Sequence, residues 1–252
     1  MILEFNALSY GYEKNLFNDI SGTIKSGEVL NLLGTNGVGK TTFAKCLLNI
    51  IKNYDGTIRY DGVDSKLISI RERAKKVGYI GIGEDVPMHL SVFDYVLLGC
   101  APELDLFRMP KQKEERKVTE ILVDMGCTHL ISKKMSQLSQ GERQLVSVAR
   151  ILVQNPNVII FDEPTASLDL GNQRRLLQLM KTLTDNGHIV INITHNPNQA
   201  FALGGYVILL SKNNHKFGKV EEIMTSANLS DMYEVNIKVI EDKDVGKIAV
   251  SV

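Results

Sequence analysis

The sequence predicts an α/β fold: a mostly parallel buried sheet, a small antiparallel β sub-domain at the N-terminus and a helical sub-domain inserted into the core. Three observations carry this reading. Short apolar runs at Val29 to Leu33, Val158 to Phe161, Ile189 to Ile193 and Val207 to Leu210 alternate with stretches of helical period. That alternation buries parallel strands on both faces. Residues 1–28 instead alternate polar and apolar around Tyr10, Tyr12, Phe17 and Ile24, with turn residues at Gly11, Gly22 and Gly27, as in antiparallel sheet. From about Val86 to Asn155 the strand signal gives way to helical spacing, for example at Val118, Ile121, Leu122 and Met125.

The remaining elements and the composition set further bounds. The tail, 229–252, carries Val235, Ile237 and Val239, then Ile248 and Val250 after a charged turn, which predicts a C-terminal hairpin. All 252 residues suit a single large domain with these sub-domains. The 29 basic residues balance 29 acidic ones without a long basic run, so no nucleic-acid partner is expected. Cys46, Cys100 and Cys127 lack the paired spacing of a zinc or redox site and read as buried thiols in a reducing compartment. Met1-Ile2-Leu3-Glu4 opens no apolar leader, and no run approaches the ~20 apolar residues of a membrane span. A soluble protein that stays in the cytoplasm is expected.

The first motif is Gly34 to Thr42, G-T-N-G-V-G-K-T-T, which fits G-x-x-x-x-G-K-[ST] between a buried strand and a helix patterned Phe43, Leu47, Ile50. Gly34, Gly37 and Gly39 permit a tight turn whose N–H groups face phosphates at a helix N-terminus. Lys40 is placed to reach β- and γ-phosphates and Thr41 to hold Mg²⁺; Asn36 and Thr42 complete the candidate nucleotide contacts. A bare glycine-rich turn would need neither the Lys nor the hydroxyl.

Val158 to Phe161 ends in Asp162-Glu163-Pro164, at the strand edge where such sheets bind ligands. Alternating directions along an extended chain would let Asp162 hold Mg²⁺ through water while Glu163 orients and deprotonates an attacking water. Taken alone, the pair also suits a solvated strand end before a turn. Ile189 to Ile193 ends in Thr194-His195, which brings His195 to the same edge, where it can contact a γ-phosphate or hold the Glu163 water. Only that register separates His195 from an ordinary loop histidine. Finally, Ser139 and Glu142 in Leu138-Ser139-Gln140-Gly141-Glu142 form a capping box before a helix patterned Leu145, Val148, Ala149, Leu152. The same helix end is an anion site, and a second phosphate-seeking terminus suggests a nucleotide shared between two chains.

In this order, a P-loop, an L-S-x-G-[EQ] element, an acidic strand end and a strand-end His resemble the ABC ATPase family over nearly the whole chain. The resemblance implies ATP and Mg²⁺ as cofactors and a head-to-tail homodimer. In it, the P-loop of one chain and Ser139, Gln140 and Gly141 of the other close on each ATP, with Asp169 of Ser167-Leu168-Asp169 crossing the seam. It also implies an adenine-stacking aromatic, for which Tyr12 fits first and Tyr10 second. Ser91 to Gly99, Leu168 to Gln173, His195 to Gln199 and the short β tail look like importers of iron chelates, haem, cobalamin and molybdate. Such an ATPase energises a many-helix permease served by a separate substrate-binding protein, and sits peripherally on the inner face of the membrane.

Smaller departures, Thr35 for Pro and Gln140 for Gly, remove no evident phosphate contact. A larger one falls where the family usually reads Y-V-P-Q: here the chain reads Tyr79-Ile80-Gly81-Ile82, and an apolar side chain can neither ligate metal nor hold water. Glu84 reaches the metal only if Gly81 and Gly83 let the loop bend. Ile82 therefore keeps open an ATP-dependent dimerising switch with weak or no hydrolysis, beside a soluble ABC ATPase outside transport.

Overall fold

The four apolar runs become neighbouring strands because each is buried on both faces. In the computed structural model, which describes residues 1–11, 15–81, 86–104, 110–166, 168–212 and 214–252, the strands in chain order are β1 (Ile2–Gly11), β2 (Asn15–Lys25), β3 (Val29–Gly34), β4 (Asp55–Tyr60), β5 (Val63–Asp64), β6 (Val77–Ile80), β7 (Val158–Asp162), β8 (Ile189–Thr194), β9 (Tyr206–Leu210), β10 (His215–Lys219), β11 (Ile237–Asp242) and β12 (Gly246–Ser251). The helices are α1 (Lys40–Leu47), α2 (Ile70–Lys76), α3 (Val92–Leu97), α4 (Gln112–Asp124), α5 (Gln140–Gln154), α6 (Leu170–Asp185), α7 (Pro197–Leu203), α8 (Val220–Ile223) and α9 (Ser226–Tyr233). Tyr12, Ile82, Gly83, Glu84 and Ser167, each named above, lie outside the described residues.

The central sheet has the order β10-β9-β3-β8-β7-β6, parallel throughout except for the edge strand β10. Alternate residues serve opposite layers. Leu30, Leu32, Val158, Ile160, Ile191 and Ile193 pack with Phe43 and Leu47 of α1, while Ile159, Phe161 and Val190 pack with Leu176 and Met180 of α6 and Val148 and Ile151 of α5. This two-sided burial is why the strands read as unbroken apolar runs.

A second sheet, β2-β1-β4-β5, covers α1 from its other side, and Phe43 meets Phe5 and Phe17 edge-on at 5.7 and 5.6 Å between ring centroids. It extends beyond residues 1–28. Ile58 and Tyr60 of β4 are buried on either side of exposed Arg59, so 55–64 joins the sheet by the same alternation. α1 stops at Leu47, so Ile50, expected on its buried stripe, is exposed.

Helices α3, α4 and α5 share a separate core of Val92, Tyr95 and Val96, Val118 and Leu122, and Val146, Ala149 and Val153. α5 belongs to two layers at once, because Val148 and Ile151 turn towards the central sheet. The tail differs from a hairpin beginning at Leu229. Thr225 caps α9 by accepting from Asn228 N–H, and Leu229 and Met232 bury one helical face. The hairpin β11-β12 starts only at Ile237. The three cysteines are buried free thiols, and burial pushes the Cys46 thiol up to about 12. Among the described residues, no helix is long and apolar enough to cross a membrane.

Gly99, at the end of the segment 91–99, marks where the turn after α3 touches α5: a Cβ there would lie 2.2 Å from the Arg150 carbonyl oxygen. Backbone cannot yield as a flexible side chain can. Gly99→Ala is therefore expected to cost roughly 1–3 kcal/mol of stability, read as a Tm lowered by several degrees in thermal unfolding.

Candidate active site

Parallel strands leave their C-terminal ends on one edge, and β3, β7 and β8 deliver Gly34, Asp162 and Thr194 there. The loop after β3 turns through Gly37 and Gly39, with φ of 79° and 112°, a region in which L side chains are strained. Gly34 is glycine for another reason. A Cβ there would sit 2.5 Å from the Leu210 carbonyl oxygen, so the close approach of β9 excludes a side chain. α1 then begins at Lys40 with no side-chain cap, leaving its first-turn N–H groups facing the loop.

Lys40 is 7% exposed and donates to the carbonyls of Gly34 at 2.8 Å and Thr35 at 3.1 Å. Its Nζ also lies 3.4 Å from Glu163 Oε1. That contact is an attraction between charges and not a formed hydrogen bond, since Glu163 Oε1 is buried without a hydrogen-bond partner among the described residues. The other oxygen, Glu163 Oε2, lies 2.8 Å from His195 Nδ1. Glu163 is thus suspended between Lys40 and His195.

Strand alternation is not what separates the two acids. β7 ends at Asp162, and Glu163 adopts φ 50°, with its N–H donating to the Ile193 carbonyl at 2.9 Å. A left-handed non-glycine residue costs about 1–3 kcal/mol and persists only where its surroundings hold it; here the neighbouring strand does. Asp162 is 5% exposed, and its Oδ2 accepts from the Tyr79 hydroxyl at 3.0 Å.

The resulting pocket is lined by Leu16, by Asn36, Gly37, Gly39, Lys40, Thr41 and Thr42 of the loop, and by Asp162 and Glu163. These residues fit a nucleoside triphosphate with Mg²⁺: the uncapped helix end supplies donors for phosphate, and the Thr41 hydroxyl and Asp162 carboxylate are hard oxygen ligands. The orphaned Glu163 Oε1 suits a water held against the phosphate chain.

Ser139, Gln140, Gly141 and Asp169 do not line that pocket. Ser139 caps α5 with the expected box: its N–H donates to Glu142 Oε2 at 2.7 Å and its hydroxyl accepts from Glu142 N–H at 3.2 Å. The donation from the Ser139 backbone holds the Glu142 carboxyl below its usual range. Asp169 caps α6 by accepting from Asn172 N–H at 2.8 Å. The two helix starts adjoin, since a Cβ on Gly141 would meet Leu168 Cδ2 at 3.4 Å. Tyr10, the second adenine candidate, is 5% exposed and packs against Phe17 in the core; its ring is not a surface platform. The first candidate, Tyr12, lies outside the described residues.

Several supporting residues had no role in the sequence reading. The Tyr79 bond to Asp162 is one, although Tyr79 stood in view beside Ile82. Gln199 donates to the Thr165 hydroxyl at 2.6 Å and Gln173 to the Leu168 carbonyl at 2.9 Å, tying Thr165 to α7 and Leu168 to α6. Both glutamines had served only as marks of resemblance. Tyr233 donates to the His195 carbonyl, with no local signal in the sequence to announce it.

Comparison with known proteins places the chain in a family. Residues 17–166 match the family described as ABC transporter. The chain is 34% identical to the "Probable iron chelatin transport ATP-binding protein" of Helicobacter pylori strain J99, over 97% of each chain. It is 33% identical to the "Molybdate import ATP-binding protein MolC" of Haemophilus influenzae, over 90% of this chain and 85% of that one. A solved inward-facing ABC transporter, provisionally assigned to the metal-chelate type, superimposes with a TM-score of 0.87 at 29% identity over 99% of this chain and 96% of that one. With its core matched and relatives aligned along nearly its whole length, the chain belongs to the ABC transporter family, whose ATP-binding subunits hydrolyse ATP coupled to transport.

Proposed function

We propose that this chain is the ATP-hydrolysing subunit of an importer for a metal chelate or a molybdate-like oxyanion. The observation that carries the chemistry is Glu163, held between Lys40 at 3.4 Å and His195 at 2.8 Å beside the pocket. Lys40 and the first turn of α1 bind the β- and γ-phosphates. Thr41 and Asp162 hold Mg²⁺, which when bound offsets the charge on the phosphate oxygens. Glu163 orients the attacking water and takes its proton. His195 Nδ1 donates to the Glu163 carboxylate, which can only accept, and so fixes the base.

A second copy of the chain completes the site in this reading. Ser139 and Gln140 at the start of α5, and Asp169 and Leu170 at the start of α6, are exposed and adjacent, with Leu170 84% exposed. A head-to-tail homodimer would place them against the partner's P-loop and cover Leu170. The importer reading is supported by the Helicobacter and Haemophilus relatives and by the metal-chelate type transporter. In it, a permease and a substrate-binding protein handle the cargo, and the ATPase is held at the cytoplasmic face through the permease. Ile82 favours a second reading, an ATP-dependent switch that dimerises with negligible phosphate release.

Glu163→Gln keeps the shape of the side chain and removes the base. It is expected to leave ATP affinity unchanged in a nucleotide titration and to lower phosphate release about 100-fold or more; wild-type turnover would overturn the assignment of Glu163. The switch reading instead expects negligible release from the wild type, with and without its membrane partner. ATP should convert Glu163→Gln from monomer to dimer in light scattering. Adding Gly141→Asp, which places a carboxylate at the shared phosphate, should hold it monomeric while ATP binding persists; a dimer in that variant would remove α5 from the nucleotide site.

A further inference from the structure

The structure assigns Tyr233 as a positioning residue that pins the backbone of His195 so that the imidazole stays on Glu163. It rests on the reading of His195 and Glu163 given above and extends it to the C-terminal tail. Tyr233 is the last residue of α9, and Glu234 ends the helix in the left-handed conformation, φ 58°. Its hydroxyl donates to the carbonyl oxygen of His195. β8 ends at Thr194, so this carbonyl lies past the strand ladder at the point where the chain leaves the sheet. The side chain beyond it is 54% exposed and is held through Nδ1, 2.8 Å from Glu163. His195 is therefore fixed from two directions: the ring by Glu163, the main chain by Tyr233.

The same tail grips the next turn. Asn198 Nδ2 donates to the Ala249 carbonyl at 3.2 Å, and Ala249 N–H donates to Asn198 Oδ1 at 2.7 Å, tying β12 to the first turn of α7. Asn196 caps α7 by accepting from Asn198 N–H at 3.0 Å, and its own N–H donates to Thr194 Oγ1 at 3.0 Å. The turn 194–198 is consequently anchored to β8 at one end and to the tail at the other. Met232, beside Tyr233, is buried with Leu229 and Ile237 against β9, which seats the helix that carries the hydroxyl on the core. Burial, with a smaller contribution from the Glu163 charge, pushes the Tyr233 phenol above its ordinary range, so it stays a donor across neutral pH.

An isolated two-stranded hairpin is at best marginally stable. Here α9 and β11 are seated on the core beside β9, and Tyr233 and Ala249 tie the turn that bears His195 to that mount.

Tyr233→Phe removes the hydroxyl and keeps the ring packing. In protein labelled with ¹⁵N-histidine, without nucleotide, the His195 ring nitrogens, identified by their loss in His195→Ala, are expected to shift or broaden in Tyr233→Phe. In ATP hydrolysis by the same purified chain, kcat should fall about three- to tenfold with KM for ATP unchanged, as one lost hydrogen bond predicts. On the His195→Ala background Tyr233→Phe should cause no further loss. Wild-type His195 ring signals in Tyr233→Phe would overturn the proposal, as would an equal loss of kcat in the absence of His195, which would mark a packing role. Wild-type turnover in His195→Ala would instead remove His195 from the chemistry, and the ring signals would still decide whether Tyr233 fixes it.

Discussion

Burial of the central sheet on both faces is the constraint on which the rest of this structure depends. Apolar runs such as Val158–Phe161 and Ile189–Ile193 have no solvated side, so helices must cover the sheet above and below, and the strands between them run parallel. Parallel strands end together. The P-loop after β3, the acids after β7 and the histidine after β8 therefore meet on one edge without being near in sequence, and the chemistry is assembled from strand ends.

The helix starts fall into two kinds. α1 has no side-chain cap, and its first turn opens onto a loop that only glycine at 37 and 39 traverses without strain. α5 and α6 are closed by Ser139 and Asp169, whose side chains already accept from Glu142 and Asn172. An uncapped terminus over glycine backbone is a complete phosphate cradle by itself. A capped one keeps only its dipole and remaining N–H groups, which suits it, in the proposed dimer, to a nucleotide already held elsewhere.

Between these parts, Glu163 links several layers of the fold through polar contacts. Its backbone is held by β8, one oxygen faces Lys40 of α1, and the other meets His195 at the start of the turn into α7. Tyr79, Gln173 and Gln199 brace the surrounding segment from β6, α6 and α7. A carboxylate held from so many elements is positioned by the fold as a whole, which is how a left-handed glutamate is tolerated.

How much of this was readable in advance follows from the range of each interaction. The sequence by itself determined the parallel core, the phosphate loop and the capping box of Ser139 with Glu142, because apolar runs, glycine turns and a three-residue box are local signals. It also set Asp162, Glu163 and His195 at strand ends, though the turn at Glu163, in place of strand alternation, was hidden in its φ. Residues 55–64 gave too brief an alternation to be read as part of the first sheet, and the period that begins at Leu229 was helical before it was extended. Tertiary structure alone decided that Tyr10 is core, that Gly34 and Gly99 exist for backbone approach, and that Tyr79 and Tyr233 reach Asp162 and His195. The two hydroxyl contacts join residues 83 and 38 positions apart, and no local pattern records which hydroxyl will meet which acceptor once the layers close.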